Sequence, residues 1–181
     1  KTQTLDIDLV FEKDKDREVF LKSALSLGYK RLDSSIVYGF RKITPIMIKV
    51  GDARLDLFLE DVIDFKFSEA MRKRAKQIHQ FGKNLIIKIA DVHDLIFMKC
   101  ATNRLKDEDD ILEIFKNTDI DWNILIQEAD NQVSLGKERA ILEMGNFFEK
   151  MNNKGKIIPP KWFLDKLWNM FRKQADDKRQ K

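Results

Sequence analysis

The sequence contains little cysteine, proline or glycine, and it has no long apolar run. Its 181 residues include one Cys, three Pro and seven Gly. The single cysteine, Cys100, excludes an internal disulfide, and so little glycine and proline argues against a disordered or repetitive chain. No segment resembles a signal peptide or an 18-residue membrane span. These absences favour an ordered cytoplasmic protein that has no membrane partner.

Hydrophobic residues make up 43% of the chain and include 13 Phe and 3 Trp, which is enough to build the core of one domain with a helical extension. The net charge of +4 is concentrated at the end, because the last eleven residues carry five Lys or Arg against two Asp. Such a tail is either a solvated helix end or a contact for nucleic acid. A second basic group, formed by Arg72, Lys73, Arg74 and Lys76, either steers phosphates or is a solvated helix end.

Apolar residues alternate with carboxylates in two short segments, residues 5–11 and 54–59. Residues two apart in a strand point to the same face, so Asp6 and Asp8 emerge side by side on one strand, and Asp56 emerges from the other. If the strands are neighbours, three carboxylates converge. Such a cluster calls for a cation, and its hard oxygen ligands suit magnesium or manganese. The alternative is that Asp6 and Asp8 form only the solvent-exposed face of a half-buried strand.

The strand and helix signals divide the chain near residue 90. Before that point we expect a helix capped by Asp14 or Asp16, a strand over residues 36–40, a hairpin turning at residues 51–52, and two strands within residues 76–89. From Asp91 onward the apolar spacing is helical to the end. The sequence therefore predicts an α+β protein, with a mixed β-sheet flanked by helices in residues 1–90 and a C-terminal helical bundle in residues 91–181.

With these parts in order, the chain resembles the nucleotidyltransferase superfamily, especially its small bacterial and archaeal members that include partners of toxin–antitoxin pairs. Residues 4–10, Thr-Leu-Asp-Ile-Asp-Leu-Val, are similar to the family's Thr-x-Asp-hydrophobic-Asp signature, and residues 54–57 resemble its third-carboxylate strand. Residues 94–111 are similar to a helical family segment that begins Asp-Leu-Ile and contains Lys-Asp. The resemblance covers roughly residues 1–115.

The resemblance implies a nucleotidyltransferase-like fold in which Asp6, Asp8 and Asp56 are catalytic and hold magnesium or manganese. A nucleoside triphosphate would be the substrate, and a hydroxyl on RNA, protein or a small molecule would be the acceptor. Lys99 and Arg104 would bind phosphates. The alternative for this last pair is a salt-bridge network with nearby aspartates that joins two helices.

One family feature has no counterpart here, namely the Gly-Gly-Ser or Gly-Gly-Ala turn that cradles the triphosphate one strand before the two aspartates. Either residues upstream of Lys1 supply it, together with a missing first helix and strand, or the protein does not bind nucleotide in the family's manner. The alternative function is a catalytically inactive binding or regulatory protein that acts through a protein partner. The aromatic residues of the last helix would then form a partner surface unless they pack in the core: Trp162, Phe163, Trp168 and Phe171.

Overall fold

The structure is a computed structural model that describes residues 6–39, 44–100 and 105–179, with side chains described as far as residue 174. It has the predicted α+β composition, with about 55% helix and 20% strand. The chain forms two compact units, residues 1–67 and residues 68–181. The predicted domain boundary near residue 90 does not coincide with this division and stays a prediction.

The described part of unit 1 begins with β1 (Asp6–Phe11), α1 (Asp14–Ser26), β2 (Lys30–Leu32) and α2 (Ser35–Tyr38). It continues with β3 (Ile46–Val50), β4 (Ala53–Leu59), β5 (Asp61–Val62) and β6 (Phe65–Lys66). The strands form one sheet in the order β2-β3-β4-β5-β6, and β1 also pairs with β4. Because β1 runs parallel to β4 while the other pairs are antiparallel, the sheet is mixed, as the sequence predicts.

The hairpin formed by β3 and β4 turns at residues 51–52, as predicted, and pairs Val50 with Ala53. Gly51 has a φ of +55°, which a residue without a side chain adopts at little cost. One face of this hairpin is apolar. Its buried residues pack with α1 in a core that contains Leu21, Ala24, Ile48, Leu55 and Leu57. The apolar face therefore anchors β4 and leaves its alternate residues for the opposite face.

Two local predictions for unit 1 are wrong. Residues 35–38 form the helix α2 where a strand was expected, because the Asp33 carboxylate accepts a hydrogen bond from the Ser35 N–H at 2.9 Å and turns the chain. Neither Asp14 nor Asp16 caps α1. Both lie inside the first turn, after Lys13 at the cap position, where their charges favour the positive end of the helix dipole.

The described part of unit 2 starts with α3 (Glu69–Arg74), β7 (Ile78–Phe81) and β8 (Leu85–Lys88). Five longer helices follow there: α4 (Val92–Cys100), α5 (Leu105–Asn117), α6 (Trp122–Ser134), α7 (Glu138–Asn153) and α8 (Lys161–Arg179). The strands β7 and β8 form a separate antiparallel hairpin. The helical stretch after Asp91 agrees with the prediction, and Asp91 itself accepts a hydrogen bond from the His93 N–H at 3.0 Å.

The last helix contributes one of its four aromatic residues, Phe163, to the core of unit 2, while Trp168 and Phe171 are half-buried. Phe163 is fully buried, and its ring lies 4.8 Å from that of Trp122 and 5.3 Å from that of Phe148. The Trp168 indole donates a hydrogen bond to Glu149 at 2.8 Å. Core packing therefore explains Phe163, whereas the partner surface stays a prediction for Trp162, which is 43% exposed. No helix in the described ranges has both the length and the apolar character needed to cross a membrane.

Candidate functional site

The structure places the three predicted carboxylates of unit 1 on two paired strands. Asp8 of β1 lies opposite Asp56 of β4, and Asp6 lies opposite Arg54. Partners in a parallel pair share a face, and residues two apart on one strand do as well, so these four side chains occupy one face of the sheet. Asp56 is fully buried, whereas the side chain of Asp6 is 44% exposed. The cluster therefore extends from a buried centre to a solvent-exposed rim.

Arg54 and Tyr38 hold the buried carboxylate. The Arg54 Nε donates to Asp56 Oδ1 at 3.0 Å, and another guanidinium nitrogen of Arg54 lies 3.0 Å from Asp6 Oδ2. The Tyr38 hydroxyl donates to Asp56 Oδ2 at 2.6 Å, and its ring packs edge-on against Phe58 with the centroids 6.0 Å apart. Both oxygens of Asp56 thus accept a hydrogen bond, which offsets the cost of burying a charge.

The surroundings of Tyr38 suppress its ionisation. Burial of the hydroxyl, its hydrogen bond to Asp56 and the negative charges of Asp56 and Asp8 raise its pKa far above the ordinary value, while Arg54 opposes the rise. The neutral phenol is thus a hydrogen-bond donor at every physiological pH. Tyr38 therefore acts as a fixed donor that orients the Asp56 carboxylate.

The three carboxylates of this face are oxygen donors of the type that a divalent cation takes. Each carboxylate oxygen offers two lone pairs, so Asp56 retains acceptor capacity beyond its bonds to Arg54 and Tyr38. In the arrangement seen, the Arg54 guanidinium supplies the positive charge between Asp6 and Asp56. Within residues 6–39, 44–100 and 105–179, no three acidic, histidine or cysteine side chains are grouped closely enough to hold a metal ion as they stand. A bound cation would share or displace the contacts of Arg54.

The remaining predicted site residues belong to unit 2. Lys99 of α4 donates to Asp107 at 3.2 Å and to Asp110 at 2.7 Å, and both aspartates lie on α5. The salt-bridge interpretation of Lys99 is therefore confirmed, because these contacts join two helices. Phosphate binding by Lys99 stays a prediction, and Arg104 lies outside the described residues.

The Asp-Leu-Ile segment of residues 94–96 belongs to a buried charge network that was not predicted from the sequence. The Arg74 guanidinium makes bidentate hydrogen bonds to the Asp94 carboxylate and also pairs with Glu128. Both carboxylates are 1% exposed. The Gln132 amide adds a hydrogen bond to Glu128 at 2.9 Å. The network links α3, α4 and α6, so it has a structural role in unit 2.

Arg54 and Tyr38 also belong to the acidic cluster, although neither was predicted from the sequence. Arg54 had a visible signal, because it stands two residues before Asp56 in an alternating strand and must share its face. Tyr38 had none. Its approach to Asp56 depends on the helix α2 and on tertiary packing, neither of which follows from local periodicity.

We expect Tyr38→Phe to destabilise the protein by about 1–3 kcal/mol, because it leaves one oxygen of a buried carboxylate without its donor. Tyr29→Phe is the matched control, since Tyr29 is the only other tyrosine and packs against the core of unit 1. Urea unfolding of both variants measures the difference. Equal stabilities for the two would contradict the role assigned to the Tyr38 hydroxyl.

We expect Lys99→Met to lower the free energy of unfolding by about 1–3 kcal/mol, because Asp107 is buried and loses a charged donor. Lys116→Met is the control, since its contact with Glu113 joins two side chains that are 70% and 66% exposed. Such surface pairs contribute little. If the two variants unfold at the same urea concentration, the Lys99 contacts do not hold α4 and α5 together.

Comparison with protein-family models and with curated proteins found no match to this chain.

Proposed function

We propose that unit 1 carries a metal-dependent nucleotidyltransferase site, which transfers a nucleoside monophosphate from a nucleoside triphosphate to a hydroxyl on RNA, protein or a small molecule. The observation that supports this most is the pairing of Asp8 with Asp56 across parallel strands, with Asp6 on the same face. The motif order described above adds the expectation of a nucleotidyltransferase-like fold. Clustered carboxylates on adjacent strands are the ligands that paired magnesium ions need for this chemistry.

Asp6, Asp8 and Asp56 would hold magnesium or manganese. When bound there, the metal would neutralise the charge of the triphosphate. Asp56 would accept the proton of the attacking hydroxyl, as the resemblance implies, and the two donors would fix the direction of its carboxylate. The acceptor oxygen bonds to the α-phosphorus, and the bond from that phosphorus to the departing pyrophosphate breaks. The protein's own contribution is positioning, since Tyr38 and Arg54 set the direction of the Asp56 carboxylate.

The test is transfer of label from each of the four nucleoside triphosphates, carrying the label at the α-phosphate, to bacterial RNA or protein. Magnesium should be required, and labelled product should appear with at least one nucleotide. Complete absence of transfer and of pyrophosphate release under all conditions would remove the enzymatic proposal. We propose that this activity takes place in the cytoplasm. If the protein belongs to a toxin–antitoxin pair, it would also bind a cognate protein partner.

A second candidate function is a catalytically inactive binding or regulatory protein. Arg54 favours it, because its guanidinium already balances Asp6 and Asp56 without a metal. The two functions differ in one respect that can be measured. The enzyme must bind a magnesium nucleotide through Asp8, whereas the regulatory protein has no such requirement and would depend on a protein partner.

A further inference from the structure

The hairpin of residues 76–89 in unit 2, called the basic hairpin below, is largely exposed. Every residue in it is exposed except Leu85 and Ile87, which are half-buried. Three apolar side chains on the two strands, Ile78, Phe81 and Ile86, are each 58% exposed. A two-stranded hairpin without a packed face is only marginally stable in water. Exposed apolar side chains on such an element indicate a surface that is completed by a partner.

The charge of this region identifies the chemistry of that partner. The stretch from Ala70 to Ala90 contains six of the 34 Lys and Arg residues and none of the 30 Asp and Glu residues. Outside it, the chain therefore has 28 basic against 30 acidic residues and a net negative charge. Apart from the basic tail of residues 171–181, the positive charge of the protein is thus concentrated in this segment. Such a segment attracts anionic partners.

Three lysines of this segment lie on the basic hairpin itself: Lys76, Lys83 and Lys88. All three are exposed, and no carboxylate of the described residues forms an ion pair with them. They differ from Lys73, which pairs with Glu69, and from Arg74, which is committed to the buried network. The hairpin lysines are therefore the charges available to an external anion.

The arrangement of apolar residues argues against two other occupants. A second copy of the hairpin would bring Lys88 of β8 and the flanking Lys76 and Lys83 close to the same charges of the other copy, and lysines at a strand edge oppose such pairing. A membrane surface would cover one face of the ribbon, whereas apolar side chains lie on both faces. The strand register puts Ile78, Ile86 and Lys88 on one face, and Phe81 on the other with Leu85.

We propose that the basic hairpin binds single-stranded nucleic acid, with its lysines contacting phosphates and Phe81 stacking on a base. Phe81 ends β7 next to the turn that carries Lys83, so an aromatic face and a cation lie at one end of the ribbon. Aromatic stacking between basic groups is the usual way in which proteins hold single strands without sequence preference. This binding does not depend on the metal site or on nucleotidyl transfer.

The test measures fluorescence anisotropy of a labelled single-stranded RNA of about 12 nucleotides, within the range that single-strand sites cover. Phe81→Leu should weaken binding about 5- to 150-fold, because it removes a stacking face but keeps an apolar side chain. Ile86→Leu on the other face should change little. The affinity for a DNA single strand of the same sequence is measured as well. Phosphate and base contacts are common to RNA and DNA, so a difference in affinity between them reports contacts to the ribose 2′-hydroxyl.

A triple variant, with Lys76, Lys83 and Lys88 each changed to Gln, tests the phosphate contacts. The slope of log affinity against log salt concentration should fall in magnitude by about 2, since each phosphate contact on a single strand contributes about 0.7. The matched control changes three exposed lysines in and before α1: Lys13, Lys15 and Lys22. Circular dichroism verifies that all variants are folded.

Four results would overturn the proposal. They are no binding of either strand, equal affinity for poly-glutamate, no response to Phe81→Leu, and preferential binding to phosphatidylserine vesicles. The first two remove a nucleic-acid site, the third removes base stacking, and the fourth assigns the surface to a membrane. None of them bears on magnesium nucleotide binding by unit 1.

Discussion

Asp8→Asn is expected to reduce nucleotidyl transfer by at least about 100-fold, because it removes one negative charge from the position that faces Asp56 across β1 and β4. A neutral amide binds magnesium more weakly than a carboxylate does, while it occupies nearly the same volume. Asp8 is exposed, so the melting temperature should change little. The measurement is the initial rate of label transfer at saturating nucleotide, with the melting temperature recorded in parallel.

Asp52→Asn is the control for this experiment. It makes the same chemical change at an exposed residue in the turn between β3 and β4, away from the acidic face. It should transfer label at the wild-type rate. If Asp8→Asn retains more than about a tenth of the wild-type rate, the carboxylate is not part of a catalytic site.

Arg74→Gln should have the largest effect on stability, about 3–5 kcal/mol, because it leaves Asp94 and Glu128 buried without their cation. Burial already raises the pKa of Asp94 against the opposing effect of Arg74. Without the arginine the folded pKa must rise further above the unfolded value. The protonated form then stabilises the folded state, and this stabilisation is lost as pH rises through the folded pKa.

The loss of stability in Arg74→Gln should therefore shrink when the pH is lowered from 7 toward 5. Urea unfolding at several pH values gives the difference between variant and wild type. Lys73→Gln is the control, since Lys73 pairs with Glu69 on an exposed surface and should cost less than about 1 kcal/mol. A pH-independent difference would show that the buried carboxylates do not take up protons.

Periodicity was sufficient to predict most elements of this fold. Alternation placed Asp6 and Asp8 on one face, the Gly51-Asp52 turn predicted the β3–β4 hairpin, and helical spacing located the helices after Asp91. Each of these signals is local. The parallel pairing that sets Asp8 opposite Asp56 joins segments far apart in the chain. Local patterns do not show which strands are neighbours, so the sequence predicted the convergence of the three carboxylates only if these two strands were neighbours.

The errors have physical causes that local patterns do not carry. At residues 35–38 the apolar residues suggested a strand, but the Asp33 side chain turned the backbone into a helix. Arg74 was interpreted as part of a solvated basic helix end, whereas the fold buries two carboxylates beside it. Contacts such as that of Tyr38 with Asp56 arise only when the chain folds, and they determine how the candidate site is held.

The central claim is that the acidic face of β1 and β4 binds a nucleoside triphosphate with a divalent cation. A thermal-shift titration with each of the four nucleoside triphosphates, with and without magnesium, tests this claim most directly. A ligand that binds only the folded state raises the melting temperature in proportion to its occupancy. We predict a saturable, magnesium-dependent rise with at least one nucleotide, and its loss in Asp8→Asn. No rise with any nucleotide, or an equal rise in the variant, would contradict the claim.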